Sequence, residues 1–264
     1  MPTHIFRSPL LCCALLTTFL NGWGFFGQVF YIPTFYQMAY SYSATRSGLL
    51  LLPLLMTQAL MSTLSGLAVT YTGRYRESLI LGWAAWTAGL ALFSTLTEES
   101  YLPAQIGYAI LTGAGVGCTL QPSLIAIQAA ARREDMAVVT AVRNFVRNLA
   151  GMLAVCVSGV LVNTSLRMEL GGCEGFAEVM LEPVAFAGRE DVRRGYARGF
   201  RWVFWVNAGL AGLGLLVTVV GIRQVGLERG DEEGLRKEAV ERLEKGKQGE
   251  TKTEKAGLAA DDRS

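Results

Sequence analysis

Long apolar runs separated by short polar stretches dominate this chain, and the polar stretches hold nearly all of its charge. Between Pro9 and Gly73 only Arg46 is charged, and Ser100 to Ala131 contains no charged side chain at all. Such runs reach the roughly 17–25 apolar residues that a membrane-spanning helix needs. The pattern predicts six spans, at about 10–36, 48–70, 79–96, 103–128, 136–162 and 202–222. Short connections make consecutive spans antiparallel neighbours: polar at 39–47, basic at 71–76, acidic at TEESYLP and charged at 132–135. Residues 163–199 read as a long polar loop, and 223–264 as a hydrophilic, disordered cytoplasmic tail. The fold class is therefore an all-α membrane protein whose residues 1–222 form one six-span unit.

Several polar residues interrupt the apolar runs, and they carry the candidate chemistry. In the first span Thr17, Asn21, Gly24, Gln28 and Tyr31 recur at helical spacing and share one face. Groups so placed either bond to neighbouring helices or line a substrate path. Aromatic residues thicken toward the end of that span, past Pro33, as at a membrane interface. The fourth span pairs Gly113 with Gly117, a small-xxx-small spacing that lets two helix backbones approach closely. Gln121, Pro122 and Gln128 follow, and Pro122 should bend or break the helix. In the fifth span Arg143 and Arg147 share a face with Gly151, while Thr140, Asn144 and Asn148 occupy the adjacent one. Charge within a span is expensive and normally points into protein or a wet cavity. Arg143 can snorkel to the headgroups, cap carbonyls of a neighbouring span, or face an anionic group. The candidate substrate pathway is Asn21, Gln28, Tyr31, Gln121, Gln128, Arg143 and Asn144. Its amides and hydroxyl suit varied polar groups, and the surrounding aromatics suit apolar ligands.

Composition agrees. Of 264 residues 51% are hydrophobic, the mean hydropathy is +0.33, and charged residues make up 17%. An ordinary soluble domain has about 25%. A net charge of +2, with no basic patch interleaved with aromatics, points away from nucleic acid. Cys12, Cys13, Cys118, Cys156 and Cys173 form no CxxC pair, and four of the five sit in apolar spans. The single histidine, His4, has no partners at metal spacing. No metal site, cofactor or catalytic residue is expected, because the motifs of intramembrane hydrolases are missing. Arg74, Arg76, Arg132, Arg133 and Arg223 fall on one side and Glu98 and Glu99 on the other, which places the N-terminus in the cytoplasm. Arg193, Arg194, Arg198 and Arg201, on the predicted outer loop, run against that orientation.

The order YIPTFYQ, SGLLLLPLL, TYTGRYR, GAGVGCTLQPSLIAIQAA and RNFVRNLAG resembles the C-terminal six-helix half of fungal major facilitator superfamily transporters. The likeness is greatest to the fourteen-span multidrug and toxin efflux group and covers about Ile5 to Ile222. Gly66, Gly73 and Arg74 match the family's cytoplasmic G-x-x-x-D-R-x-G-R turn, while Thr70 stands at its acidic position. The resemblance implies one bundle of the major facilitator fold and proton-driven efflux of small amphiphilic substrates by alternating access in a lipid bilayer, the plasma membrane foremost. It also implies a second six-helix bundle, either a missing N-terminal half or another copy. No Asp or Glu lies within the predicted spans, so no residue here is assigned the proton. The alternative is a truncated, non-transporting half-bundle that pairs with itself or with another transporter.

Overall fold

The computed structural model describes residues 9–96, 101–130, 135–170 and 190–222. They form α1 (Pro9–Ala39), α2 (Ala44–Thr72), α3 (Tyr75–Ser94), α4 (Leu102–Ala130), α5 (Met136–Glu169) and α6 (Glu190–Gly221). The described residues contain no strand. All but α3 are long and apolar enough to cross a membrane. The 20 residues of α3 hold Arg76 and Glu77 in their first turn and carry two indoles, which lowers their apolarity. Their length of about 30 Å still matches the hydrocarbon core of a bilayer. The chain is an integral, multi-pass membrane protein.

Among these helices α4 lies between α2 and α3, while α6 packs against α3, α1 and α5. Along its length α1 lies on α5, and it touches α4 and α2 more lightly. Lipid tails are as apolar as leucine, so close packing and interhelical hydrogen bonds must hold such a bundle together. The glycines of α4 show how: a Cβ at Gly113 would collide with the Leu54 carbonyl of α2, and one at Gly117 would stand 2.6 Å from the Gln58 carbonyl. These two positions seat α2 on α4, as their spacing predicts. On the opposite flank of α4 lies Trp86, stacked on Trp83 with ring centroids 5.1 Å apart, both fully buried. Further along α1, Phe35 meets Phe200 and Phe204 of α6, and Phe204 meets Phe93 of α3.

Pro122 does not break α4, which runs unbroken to Ala130. Its ring deprives the Cys118 carbonyl of a helical donor, and the Ser78 hydroxyl of α3 donates to that carbonyl at 3.4 Å. Pro33 and Pro53 likewise sit inside continuous helices.

The largest departure from expectation concerns residues 163–199. Instead of a loop throughout, α5 continues to Glu169 and α6 begins at Glu190. An apolar run marks the part of a helix that lipid touches, and these polar turns extend beyond it. Gly195 and Gly199 of α6 nest against Leu166 and Val162 of α5, which draws the extension into the bundle. The Asn163-Thr164-Ser165 sequon is part of α5, with Ser165 buried. The arginines that oppose the predicted orientation lie on the first turns of α6. Two of them are partly neutralised, Arg194 by Asp191 at 3.2 Å and Arg198 by Glu169. The tail at 223–264 lies outside the described residues.

Candidate functional site: a polar seam between α1, α4 and α5

Three of the predicted pathway residues converge on one seam. Arg143, in the third turn of α5, has no carboxylate partner among the described residues and reaches across to α4. Its Nη2 donates to the Leu120 carbonyl at 3.2 Å and to Ser123 Oγ at 3.3 Å, and its Nη1 donates to Asn144 Oδ1 at 3.3 Å. The side chain is only 7% exposed, so the guanidinium caps a neighbouring helix instead of snorkelling. Asn21 of α1 reaches the same turn of α4, donating from Nδ2 to Thr119 Oγ1 at 2.9 Å. Thr119 in turn donates to the Val116 carbonyl at 2.8 Å. Asn144 is exposed and Asn21 is buried, so the seam runs from the core to the open side of α5.

Arg147 follows one turn later and faces α1. Its guanidinium stands 5.0 Å from the centre of the Phe25 ring, and its buried Nε has no acceptor. The α1 and α5 helices run parallel here. Gly22 lies against the backbone of Arg147, Gly151 against the Phe26 ring, and the Tyr31 hydroxyl donates to the Val155 carbonyl at 2.8 Å. Beyond Arg147 the two helices leave a groove of about 490 Å³, lined by Phe26, Phe30, Asn148, Met152, Val155 and Cys156 with Gly151 at its floor.

The other predicted positions are scattered. Gln28 is buried in the core, and neither of its amide atoms has a partner among the described residues. A buried amide without bonds is costly, which marks Gln28 as a point of low polar satisfaction in α1. Gln121 is exposed on the α2 side of α4, in a groove of about 350 Å³ with Ser62, Thr63, Gly66 and Thr70. Gln128 is half-buried two turns further along α4. Tyr31 belongs to the α1–α5 contact rather than to the Arg143 seam, and its ring edge meets Phe200. Helical periodicity put Asn21, Gln28 and Tyr31 on one face. It could not say that the face changes neighbour from α4 to α5 along its length. The α1–α5 groove was not foreseen, since its walls belong to residues far apart in sequence; its one legible sign is Arg147 standing ahead of a largely apolar stripe.

At the opposite end of α2 the predicted turn is well defined. Gly73 ends the helix with φ 68°, its N–H bonded to the Val69 carbonyl at 2.8 Å. A Cβ there would touch nothing within 4 Å, so the backbone conformation, not space, requires glycine. Gly73→Ala should therefore lower stability by about 1–2 kcal/mol. Thermal unfolding of the two proteins in the same detergent checks this, and equal midpoints would refute it. Gly66 gives the Gln121 side chain room, since a Cβ would stand 2.9 Å from its Cγ. Arg74 pairs with Glu77 at 3.3 Å in an exposed position. Arg76, read from the sequence only as an orienting charge, donates to the Val219 carbonyl of α6 at 2.8 Å and ties the turn to the last helix. Thr70, at the position where the family motif is acidic, spends its hydroxyl on the Gly66 carbonyl at 2.9 Å within its own helix.

Comparison with known proteins bears on the family and the fold. The sequence profile of the Major Facilitator Superfamily matches residues 14–254. The chain is 28% identical to citrate exporter 1 of Yarrowia lipolytica over 94% of its own length and 38% of that protein. It is 31% identical to an MFS-type transporter of Cochliobolus lunatus, covering 82% of this chain and 40% of that one. To an MFS-type efflux pump of Trichophyton rubrum it is 35% identical, over 64% of this chain and 31% of the pump. The chain thus spans two-fifths or less of these curated relatives. In fold it is similar to a bacterial homologue of the human lysosomal transporter Spinster, solved in an inward-facing, occupied conformation. That likeness has a TM-score of 0.59 and 13% identity, over 85% of this chain and 51% of that one.

Proposed function

Since this chain belongs to the Major Facilitator Superfamily, we propose that it is one six-helix bundle of a transporter that exports small amphiphilic molecules across the plasma membrane by alternating access. The observation that carries this reading is the seam itself. Asn21, Arg143 and Asn144 gather between α1, α4 and α5, where a charge would otherwise be an unrewarded expense. Fungal relatives described as transporters and efflux pumps supply the direction of transport.

The partner in this reading is a second six-helix bundle. On α2 the large apolar residues Met56, Leu60, Leu64 and Leu67 form an exposed stripe, and Phe145, Leu149 and Met152 do so on α5. These stripes are where a second bundle would pack and rock, as in two-bundle transporters. In this reading no residue of the chain is assigned the coupling proton: among the described residues the carboxylates Glu77, Asp135, Glu169, Glu190 and Asp191 stand at the ends of their helices.

The test is efflux from proteoliposomes of a panel of neutral, cationic and anionic amphiphilic dyes under an imposed pH gradient. The chain is reconstituted by itself and together with the remaining part of a fungal relative. Gradient-dependent dye movement when both parts are present is the expected result. A folded complex that moves no dye would overturn the reading.

A further inference from the structure

The arginines that oppose the predicted orientation are gathered around one pocket. Arg194, Arg198 and Arg201 recur at helical spacing on the first turns of α6, about 10 Å from first to last, and all three are exposed. With Ala197, Phe35 of α1 and Leu96 just past α3 they line a cavity of about 260 Å³. Its rim is cationic and its floor is apolar. Two of the charges are already shared, Arg194 with Asp191 at 3.2 Å and Arg198 with Glu169. Arg201 has no ion-pair partner among the described residues, so the rim keeps one uncompensated positive charge. The next turn fixes the depth of the pocket in the bilayer. Trp202 and Trp205 are 57% and 54% exposed, and no charged side chain follows them in α6. Indoles on the outside of a membrane helix sit at headgroup level, which puts Arg201 where lipid phosphates lie. Beyond it the exposed residues Trp205, Gly209, Leu213 and Leu216 continue that side of α6 as an apolar track.

We propose that this pocket is a site for an anionic phospholipid, with the phosphodiester on the Arg201 guanidinium, the glycerol over Phe35 and Leu96, and one acyl chain along Trp205, Leu213 and Leu216. Charge and geometry choose this occupant together. A phosphodiester brings the single negative charge that balances Arg201, and the planar guanidinium holds two of its oxygens at once. Arg194 and Arg198 add positive potential on the same rim, and basic pockets between membrane helices are where anionic headgroups settle. A zwitterionic lipid brings the same phosphate but carries its own cation to a basic rim. A soluble phosphate gains the rim without the apolar floor or the track. Arg143 lies near the start of α5, whereas Glu169, which pairs with this rim, is at its end. The site is therefore separate from the polar seam and does not rest on the transport reading. It gives the arginines that run against the predicted orientation something to bind.

Bromine quenching of tryptophan fluorescence tests this, because bromine quenches at contact range and the exposed Trp202 and Trp205 follow directly on Arg201. The full chain is reconstituted in phosphatidylcholine vesicles. A rising fraction of the lipid is phosphatidylglycerol, or phosphatidylcholine, brominated near the glycerol end of its chains. Brominated phosphatidylglycerol should occupy the site about fivefold more readily than brominated phosphatidylcholine, and high salt should narrow that gap. Arg201→Gln should remove the preference, and Arg201→Lys should retain part of it. Ala197→Phe, which fills the pocket without changing its charge, should reduce it. The excess quenching should vanish from a double variant carrying Trp202→Phe and Trp205→Phe. Equal quenching by the two lipids, or a preference that survives Arg201→Gln or Ala197→Phe, would overturn the proposal. So would an excess that persists in the double tryptophan variant, since the lipid would then sit elsewhere. Loss of the preference on adding glycerol 3-phosphate would mark a site for soluble phosphates and overturn it as well.

Discussion

Trp86→Ala should cost the bundle about 3–5 kcal/mol, a large share of the stability of any single domain. The indole has no exposed surface and stacks on Trp83. Gly24 of α1 makes room for the ring, since a Cβ there would stand 2.7 Å from it, and Gly115 of α4 lies against the Trp86 backbone, where a Cβ would strike the main chain. Alanine would open a cavity where three helices meet. One wall is Gly24, which has no side chain to move into the space. Among the described residues neither the Trp83 nor the Trp86 indole N–H has an acceptor, so the loss is one of packing and not of hydrogen bonding. Trp86→Phe keeps a ring against Gly24 and should cost less. In calorimetric or aggregation-based melts the alanine protein should unfold roughly 6–20 °C below the parent. An unchanged melt would mean that α1, α3 and α4 close up without the indole and would refute the account.

In the two-part transporter proposed above, Arg143→Met should reduce dye movement by tenfold or more while leaving the bundle about as stable as before. The two effects separate because they have different physical sources. Replacing a desolvated cation with an apolar chain of similar reach removes a desolvation penalty along with its hydrogen bonds, and the balance is often neutral or favourable. The connection between α4 and α5 is another matter. These helices otherwise touch only lightly, and Arg143 spans the gap to Leu120 and Ser123. Without it nothing polar couples the turn of α4 that Asn21 also holds to the helix that carries Arg147. Arg143→Lys retains the charge but lacks the planar fork for two acceptors, and should fall between the two. Dye efflux and thermal midpoints on the same preparations decide it. Full flux in the methionine protein would remove Arg143 from the working parts of the transporter.

Residues of equal polarity met different fates, and this shows where legibility stopped. Gln28 and Gln121 both interrupt apolar spans, yet Gln28 is sealed in the core and Gln121 is open beside α2. Periodicity relates a side chain to its own helix axis. It does not say which helix, if any, stands opposite. Gly113 and Gly117 were readable because a small residue at that spacing has one main use in a membrane, and α2 is indeed seated there. The turn at Gly73 was readable for another reason, its likeness to the family's cytoplasmic turn, and in the structure that glycine is the left-handed residue that ends α2. The lengths of α5 and α6 were not. Hydropathy follows contact with lipid, whereas these helices continue into polar turns that pack on each other through Gly195 and Gly199.

By itself the sequence determined that the chain is all-helical, that it lies in a membrane, and that polar groups are buried within its spans. Those properties follow from local necessity: each backbone group must find its partner inside its own helix where no water is present, and apolar length must match the bilayer. Only the tertiary structure decided which neighbours the polar groups have, that Arg143 is bonded to α4 while Arg147 is left facing α1, and that a groove opens between α1 and α5. One apolar helix face is as acceptable to lipid as to another helix. The choice among neighbours therefore rests on close-packed shape between residues distant in the chain, and that information appears only when the helices are set against one another.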